Sequence, residues 1–163
     1  MEGKFRPGHF NGVVQVVSKL FSMVPATRAY FGEKDFQQLA IIQLMTRKLG
    51  YKTAIIPCPI MREPSGLAMS SRNERLSSDE RLLASEISHI LFQSRLLVSM
   101  HTPASLCKWV ESEFTKHPAL TLEYFEIADA ATLQQAIDWT KPSVGCVAAY
   151  CGGVRLIDNV RYS

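Results

Sequence analysis

The chain has 163 residues, of which 47% are hydrophobic and 20% are charged, a composition typical of a folded globular protein. Its formal net charge of +3, with both signs interspersed, is too small to indicate nucleic-acid binding. A charge of this size is equally compatible with a site for a small polyanion and with a mildly basic protein that has no such site.

The cysteines and the N-terminal residues indicate a cytosolic protein. None of the four cysteines forms a CxxC pair and no histidine pair has metal-ligand spacing, so we expect reduced thiols and no metal site. No apolar run reaches membrane-spanning length, and the first residues lack the apolar segment of a signal peptide. We therefore expect a cytoplasmic location, with neither a membrane nor a nucleic acid as partner.

The first predicted element is a helix over residues 13–21. The β-branched content of this segment is typical of a strand, but its apolar residues have the spacing of one helix face. We favour the helix because Asn11 can act as its N-cap and Pro25 would end it. The apolar residues at helical spacing are Val13, Val16, Val17 and Leu20.

Two short strands and a second helix follow. Residues 27–31 form the first predicted strand, which Gly32 closes. Residues 35–49 form the clearest helix, with Gly50 as its C′ residue, and residues 52–57 form the second strand. Helix, strand, helix and strand joined by short links predict a parallel sheet. Two strands are too few to cover the faces of such a sheet, so the sequence predicts an incomplete domain.

The second half of the chain is predicted to be an α+β domain with an antiparallel sheet. Residues 61–73 are polar and loop-like, and either Ser77 or Ser78 caps the helix that follows. The apolar face of that helix is predicted to consist of Leu82, Leu83, Ile87, Ile90 and Leu91. The other predicted elements are a helix over 103–116, a strand over 120–127, a short helix over 130–139, and a hairpin of strands 145–150 and 154–157 joined by residues 151–153.

The first motif that can carry chemistry follows the first strand. In Gly32-Glu33-Lys34-Asp35 a strand ends in glycine and a helix begins. Ligands of open α/β sheets bind at the carboxyl ends of the strands, and helix N-termini attract phosphate. Lys34 can reach a phosphate as a point charge, and Gly32 lets the backbone approach a ligand closely. Alternatively, Asp35 is only an N-cap and Lys34 is only a solvated surface residue.

The second motif lies in the polar loop between the two predicted domains. Residues 66–73 carry the hydroxyls of Ser70 and Ser71 and the guanidinium of Arg72. Such a loop can close over a triphosphate, hold its oxygens through hydroxyl and backbone N–H groups, and neutralise charge as pyrophosphate leaves. A serine-rich linker with a helix cap is an equally good interpretation of these residues alone.

The third motif is a glycine-flanked histidine near the N-terminus. His9 follows Arg6-Pro7-Gly8, so the basic side chains can together contact an anion. A turn with a hydrogen-bonding histidine is the better interpretation of this segment on its own.

Taken together, these motifs resemble the pantothenate synthetase family. The matching segments are Arg-Pro-Gly-His-Phe-x-Gly-Val, then Phe-Gly-Glu-Lys-Asp-Phe-Gln-Gln-Leu, then Pro-Ile-Met-Arg-Glu-x-x-Gly-Leu-Ala-Met-Ser-Ser-Arg-Asn, in the family's order and spacing. Residues 155–159 also match the family's closing strand. The resemblance covers nearly the whole chain.

The resemblance implies a class I aminoacyl-tRNA-synthetase-like nucleotidyltransferase of the α/β class, with an incomplete Rossmann-type parallel sheet and a small α+β C-terminal lid domain. Residues 1–60 would belong to the nucleotide-binding domain, residues 61–75 would form a mobile loop and hinge, and residues 76–163 would form the lid. The implied enzyme is a homodimer that joins pantoate to β-alanine. Pantoate attacks the α-phosphorus of ATP, with Mg²⁺ on the phosphates, and β-alanine then displaces AMP from pantoyl adenylate.

The resemblance also implies roles residue by residue. Lys34 would contact the ATP phosphates and the developing charge, with Gly32 and Asp35 on the ribose and adenylate side. Gln38 would hydrogen-bond pantoate and fix its carboxylate for in-line attack. The other implied contacts are those of the catalytic residues Ser70, Ser71 and Arg72 with the β and γ phosphates, of Met61 and Met69 with the adenine region, and of Arg6 and His9 with the pantoate and β-alanine side.

One departure from the family's pattern bears on activity. The family's His-x-Gly-His motif, which cradles ATP in the first βα turn, is absent from these 163 residues, and so is its second pantoate-binding glutamine. We therefore expect the first strands of the sheet to be missing and the chain to be inactive alone. Alternatively, the chain is a non-catalytic partner of a separate N-terminal piece, or an interaction domain with vestigial motifs.

Overall fold

The computed structural model describes residues 1–162, which divide into two compact units. The first unit is Met1–Ile60 and the second begins at Met61. Among the described residues, no helix is long and apolar enough to cross a membrane.

The first unit is built on a parallel pair of strands. Its elements are α1 (Glu2–Phe5), α2 (His9–Met23), β1 (Arg28–Gly32), α3 (Phe36–Lys48) and β2 (Ala54–Cys58), with a 3-10 turn, Glu33–Asp35, before α3. β1 and β2 pair in parallel, with Gly32 opposite Cys58 at their carboxyl ends. The structure therefore confirms both predicted strands and their parallel arrangement.

α3 packs one apolar side into this unit because its apolar residues recur at helical spacing. Leu49 is the C-cap, and Gly50 follows with a φ of 69°, the left-handed conformation typical of a C′ residue. The predicted end of the helix is therefore confirmed. The buried apolar residues of α3 are Phe36, Leu39, Ile42 and Met45.

α2 confirms that the first apolar segment is helical, but the predicted N-cap is wrong. The helix begins at His9, before Asn11, because Gly8 takes the N-cap position and its carbonyl accepts a helical N–H group. Asn11 therefore lies inside the first turn. α2 packs against α3 through Ser18, whose hydroxyl donates to Met45 Sδ at 3.1 Å.

The second unit is a three-stranded antiparallel sheet with helices. Its elements are α4 (Ser78–Ala84), α5 (Glu86–Leu96), α6 (Pro103–Thr115), β3 (Leu120–Asp129), β4 (Ser143–Cys151) and β5 (Val154–Tyr162), with 3-10 turns at Ser71–Arg75 and Val98–Met100. The strand order is β3-β4-β5, α5 contacts β5, and α6 contacts β3. The predicted α+β arrangement with an antiparallel sheet is confirmed. The largest fully buried apolar residues of this unit are Ile87, Leu91, Leu106, Val110, Ile127, Val144 and Val147.

Ser77, rather than Ser78, caps α4. The Ser77 hydroxyl accepts the Glu80 N–H at 3.3 Å, and the Glu80 carboxylate accepts the Ser77 N–H at 2.8 Å. This reciprocal capping box satisfies two of the N–H groups that a helix start leaves unpaired.

The single helix predicted after this cap is broken at Ser85 into α4 and α5. Ser85 bonds locally instead of continuing the helix, because its N–H and its hydroxyl both donate to the Leu82 carbonyl, at 3.1 and 2.6 Å. Leu82 is 68% exposed and Leu83 is exposed as well, because the buried face of α4 is formed by Ala84 instead. These two residues were wrongly assigned to the apolar face, whereas Ile87, Ile90 and Leu91 are buried as predicted.

The short helix predicted over residues 130–139 does not form. Asp129 ends β3, and its Oδ1 accepts the N–H groups of Ala131 and Thr132 at 2.9 and 2.8 Å. Leu133 then adopts a φ of 60°. The prediction is wrong because these short side-chain bonds stabilise a turn in place of helical hydrogen bonds.

β3 carries a bulge. Its pairing with β4 shifts between Leu122 and Tyr124, which leaves Glu123 as an extra residue. The Glu123 carboxylate accepts the Tyr150 hydroxyl at 3.2 Å and the Arg155 Nε at 3.1 Å. The bulge therefore places a carboxylate where it bonds both to the adjacent strand β4 and to β5 beyond it.

The turn between β4 and β5 is the predicted glycine hairpin. Cys151 pairs with Val154, and the two residues between them, Gly152 and Gly153, have φ values of 54° and 74°. Two consecutive positive φ angles are typical of the two-residue turns that match the twist of a hairpin.

Replacing Gly152 by alanine should lower the free energy of unfolding by about 2–3 kcal/mol. The alanine would have to adopt a positive φ, and its methyl group would also overlap the Glu80 carboxylate of the capping box. Gly153→Ala is a matched control, because its Cβ would meet no atom within 4 Å, and it should cost only about 1–2 kcal/mol. Urea unfolding measures both changes, and equal losses would contradict the role given to Glu80.

Candidate functional site

The first group of candidate residues lies at the carboxyl end of β1. The strand ends at Gly32, the 3-10 turn Glu33–Asp35 follows, and α3 begins at Phe36. Lys34 is half-buried in this turn, and Asp35 is exposed. The turn therefore lies at the edge of the parallel pair where ligands of such sheets bind.

Asp35 occupies the N-cap position of α3, yet its side chain makes no capping hydrogen bond. The alternative that Asp35 serves only as a helix cap is therefore not supported. Gln38 lies in the first turn of α3 and is half-buried. The structure thus brings Gly32, Lys34, Asp35 and Gln38 together at one strand–helix junction.

The N-terminal segment adds Arg6 and His9 to the same unit. Arg6 Nη1 lies 3.4 Å from Glu2 Oε1 and 3.3 Å from His9 Nε2, so His9 is hydrogen-bonded as the turn interpretation requires. The Glu2 N–H donates to Gln37 Oε1 at 2.8 Å, which joins the segment to the first turn of α3, beside Gln38. Glu2 and Gln37 were not predicted, because a bond between residues 35 positions apart leaves no local pattern.

Residues 61–69 of the second unit form a short hairpin rather than an open loop. Arg62 and Ala68 pair in an antiparallel bridge, and the Met69 N–H donates to the Met61 carbonyl at 2.9 Å. Met61 is 70% exposed and Met69 is 52% exposed. The structure therefore brings together the two methionines predicted to lie near an adenine.

Ser70, Ser71 and Arg72 follow directly after this hairpin. Ser70 caps the 3-10 turn Ser71–Arg75, because its hydroxyl accepts the Arg72 N–H at 3.2 Å. Arg72 Nη1 donates to the Arg155 carbonyl at 3.3 Å, and Ser71 and Arg72 are both exposed. The cap proposed in the linker interpretation is thus present. The mobility of residues 61–75 stays a prediction.

A buried ion pair holds the base of the hairpin. Arg62 Nη1 and Nη2 donate to the two carboxylate oxygens of Asp158 in β5, at 2.7 and 3.0 Å. Arg62 also donates to the Gly66 carbonyl at 3.0 Å and lies over the Phe92 ring, 4.8 Å from its centroid. This pair was not predicted, because β5 carries other polar residues besides Asp158 and no local pattern links it to Arg62.

The cysteines are free thiols in the structure. Cys107 is half-buried, and burial raises its pKa to about 11, so this thiol stays protonated and unreactive near neutral pH. Within residues 1–162, no three His, Cys, Asp or Glu side chains are grouped as a metal ion would need.

A family model described as Pantoate-beta-alanine ligase matches residues 1–161. The chain belongs to the pantoate-beta-alanine ligase family. The match spans both compact units and all three motifs, so the resemblance drawn from those motifs is confirmed.

Curated members of the ligase family show the same similarity over a longer protein. The pantothenate synthetase of Porphyromonas gingivalis (strain ATCC 33277) is 56% identical over 164 residues, which cover 99% of this chain and 58% of the relative. The pantothenate synthetase of Bacteroides fragilis (strain YCH46) is 57% identical, with the same two coverages. The chain therefore spans 58% of the length of these relatives.

Solved structures of the ligase family confirm the α/β fold class. The pantothenate synthetase of Thermus thermophilus matches with a TM-score of 0.93 at 38% identity, over 100% of this chain and 60% of that chain. The pantoate-beta-alanine ligase of Francisella tularensis, complexed with beta-gamma ATP and beta-alanine, matches with a TM-score of 0.72 at 35% identity, over 98% of this chain and 53% of that chain.

Proposed function

We propose that this chain is part of an AMP-forming ligase that condenses pantoate with β-alanine. The carboxylate of pantoate attacks the α-phosphorus of Mg-ATP and releases pyrophosphate. The amine of β-alanine then attacks the acyl carbon of pantoyl adenylate, loses a proton and releases AMP, which gives pantothenate. The observation that carries the proposal is the family match over residues 1–161, which includes a relative complexed with a nucleotide and β-alanine.

The nucleotide side of the site is assigned to the junction of β1 and α3. Lys34 supplies a positive charge to the phosphates and to the charge that develops as pyrophosphate leaves. Gly32 and Asp35 line the ribose and adenylate side. The position of all three at the carboxyl end of a parallel strand supports these roles, because this is the edge at which α/β proteins bind nucleotides.

Residues of the hairpin and of the 3-10 turn that follows it in the second unit are assigned to the same nucleotide. Ser70, Ser71 and Arg72 hold the β and γ phosphates, and Met61 and Met69 lie near the adenine. Residues 61–75 act as a hinge and residues 76–163 as a lid that closes over the substrate. The exposure of Ser71, Arg72 and both methionines supports this assignment.

Pantoate is assigned to Gln38, with Arg6 and His9 nearby on the pantoate and β-alanine side. Gln38 fixes the carboxylate for in-line attack by hydrogen bonding the substrate. The bond from Glu2 to Gln37 supports a common site, because it ties the segment that carries Arg6 and His9 to the first turn of α3.

The enzyme is proposed to act in the cytoplasm as a homodimer, with no nucleic acid or membrane among its partners. The free state of all four cysteines supports a reducing compartment. Pantoate, β-alanine and Mg-ATP are its small-molecule substrates.

A chimeric enzyme tests the proposed function. The part of the Porphyromonas gingivalis relative that this chain does not match is joined in frame to Met1, and AMP and pantothenate formation are assayed with all substrates. We expect turnover that requires both pantoate and β-alanine, at a rate at least about 100-fold above that of the chain alone. We expect this increase in turnover because the added segment supplies the family's ATP-cradling His-x-Gly-His motif.

Two controls bracket this result. The relative's N-terminal segment alone should be inactive, and Ser77→Ala in the chimera should leave turnover unchanged because Ser77 only caps α4. A chimera that is folded but makes no AMP would contradict the proposed function. Activity restored by mixing the two separate pieces, with a shift in size-exclusion elution, would favour the alternative that the chain is a partner of a separate N-terminal piece.

A further inference from the structure

Asn73 is the most completely buried polar side chain near the Ser70–Arg72 surface, with 1% of its area exposed. Its Nδ2 donates to Glu63 Oε1 at 2.7 Å and to the Ala68 carbonyl at 3.1 Å. Its Oδ1 accepts the Ser70 hydroxyl at 2.9 Å. One amide therefore connects both arms of the hairpin to the first serine of the candidate phosphate-binding surface.

Glu63 is held in place from its other side. Arg81 of α4 donates to both Glu63 oxygens, with Nε 2.9 Å from Oε2 and Nη2 2.9 Å from Oε1. The hydrogen bond from Arg81 holds the pKa of Glu63 below its usual value, so the carboxylate stays ionised and accepts the Asn73 amide at neutral pH. The orientation of Asn73 is therefore set by groups from the hairpin and from α4 together.

The Ser70 hydroxyl has both a donor and an acceptor role in this arrangement. It gives its only proton to Asn73 Oδ1 and accepts the Arg72 N–H. Its direction is thus fixed, and so is the backbone that carries Arg72. In the described part of the chain, by contrast, the exposed Ser71 hydroxyl makes no hydrogen bond, so it is available to a ligand.

We propose that Asn73 is a positioning residue for the phosphate-binding surface formed by Ser70, Ser71 and Arg72. Asn73 is too buried to touch a nucleotide, and it acts through the Ser70 hydroxyl and the Arg72 backbone. Glu63 and Arg81 complete this Asn73 network. The proposal rests on the proposed function for the role of the surface, but the positioning itself is a property of the second unit.

Hydrogen exchange on the full chain tests the positioning without any assay of activity. Asn73→Ala removes three hydrogen bonds, so we expect exchange of the amide protons of residues 69–73 to accelerate about tenfold or more. Ser77→Ala is the matched control, because it removes a serine cap close to the 3-10 turn Ser71–Arg75, and the Ser77 hydroxyl makes no hydrogen bond with Ser70, Glu63 or Asn73. Its effect should stay at the start of α4. Similar protection of residues 69–73 in Asn73→Ala and in the unmodified chain would overturn the proposal.

Ser70→Ala provides a second test of the network if Asn73→Ala does not fold. This variant leaves both donors of Asn73 in place, and it should accelerate exchange at Arg72 alone among the amides of the turn. Unchanged exchange at Arg72 would count against the network, since the Ser70 hydroxyl is the acceptor for that N–H.

Kinetics in the chimera separate positioning from a merely structural role. Asn73→Ala should raise the KM for ATP about 10-fold or more and leave the KM for β-alanine within about twofold. In a Ser70→Ala background the same change should have little further effect on the KM for ATP, because both act on one path. Equal rises in both KM values, or fully additive effects, would show that Asn73 only stabilises the fold. An inactive parent chimera would refute the proposed function, while the exchange data would still decide the positioning.

Discussion

Replacing Lys34 by alanine in the chimera should lower the rate of AMP formation by about 100- to 1,000-fold. Lys34 lies in the 3-10 turn that follows β1, and in the proposed function its charge offsets the negative charge that grows as pyrophosphate leaves. Loss of one preorganised positive group removes stabilisation that is specific to the transition state. The rate should fall at saturating ATP, and the KM for β-alanine should change little.

Lys48→Ala is the matched control for this experiment. Lys48 lies in the last turn of α3 and is exposed, so its removal should change the rate by less than about twofold. Lys34→Arg should recover only part of the activity, because a planar guanidinium cannot replace a compact ammonium at the same point. A Lys34→Ala chimera that turns over at the parent rate would remove the nucleotide role from this junction.

Replacing Arg62 by methionine should lower the free energy of unfolding of the second unit by about 3–5 kcal/mol. Asp158 is buried in β5, and Arg62 supplies both of the charged hydrogen bonds to its carboxylate. Methionine keeps most of the side-chain volume but leaves the carboxylate without a countercharge. The Gly66 carbonyl loses its guanidinium donor as well, so the hairpin should loosen along with the sheet.

Tryptophan fluorescence during urea unfolding measures this loss in the relevant unit. Both tryptophans of the chain, Trp109 and Trp139, belong to the second unit, so the signal does not report on the first. Arg95→Met, at an exposed position of α5, should change the stability by less than about 0.5 kcal/mol. Adding Asp158→Leu to Arg62→Met should recover part of the loss, because no buried charge is then left unpaired. Independent, additive losses would show that the two side chains do not stabilise each other.

The parts of the fold that follow from short sequence patterns were predicted well. α3 was predicted because its apolar residues repeat at helical spacing and Gly50 supplies the left-handed residue after it. The glycine hairpin and a serine cap at position 77 or 78 follow from equally local rules, and the structure assigns the cap to Ser77. The candidate residues were named from short motifs, and the roles that the family resemblance implies for them stay predictions.

The wrong and missing predictions have a common physical origin. They involve hydrogen bonds that either compete with the local pattern or join residues far apart in the sequence. The helix after Ser77 was predicted to be continuous because its periodicity does not show that the Ser85 hydroxyl bonds back to Leu82. Arg62 and Asp158 lie 96 positions apart, so neither predicts the other. Asn73 was passed over for a related reason: its importance comes from burial, which a polar loop sequence does not indicate.

The extra residue in β3 also constrains how the length of this strand can vary. Leu120 and Leu122 precede the bulge and Phe125 and Ile127 follow it, and all four contribute to the same core. Side chains of a strand alternate, so even and odd positions share one face only because Glu123 shifts the phase between them. Deletion of a single residue here would expose to solvent either Leu120 and Leu122 or Phe125 and Ile127. Members of the family should therefore tolerate substitutions along this strand far better than a change in its number of residues.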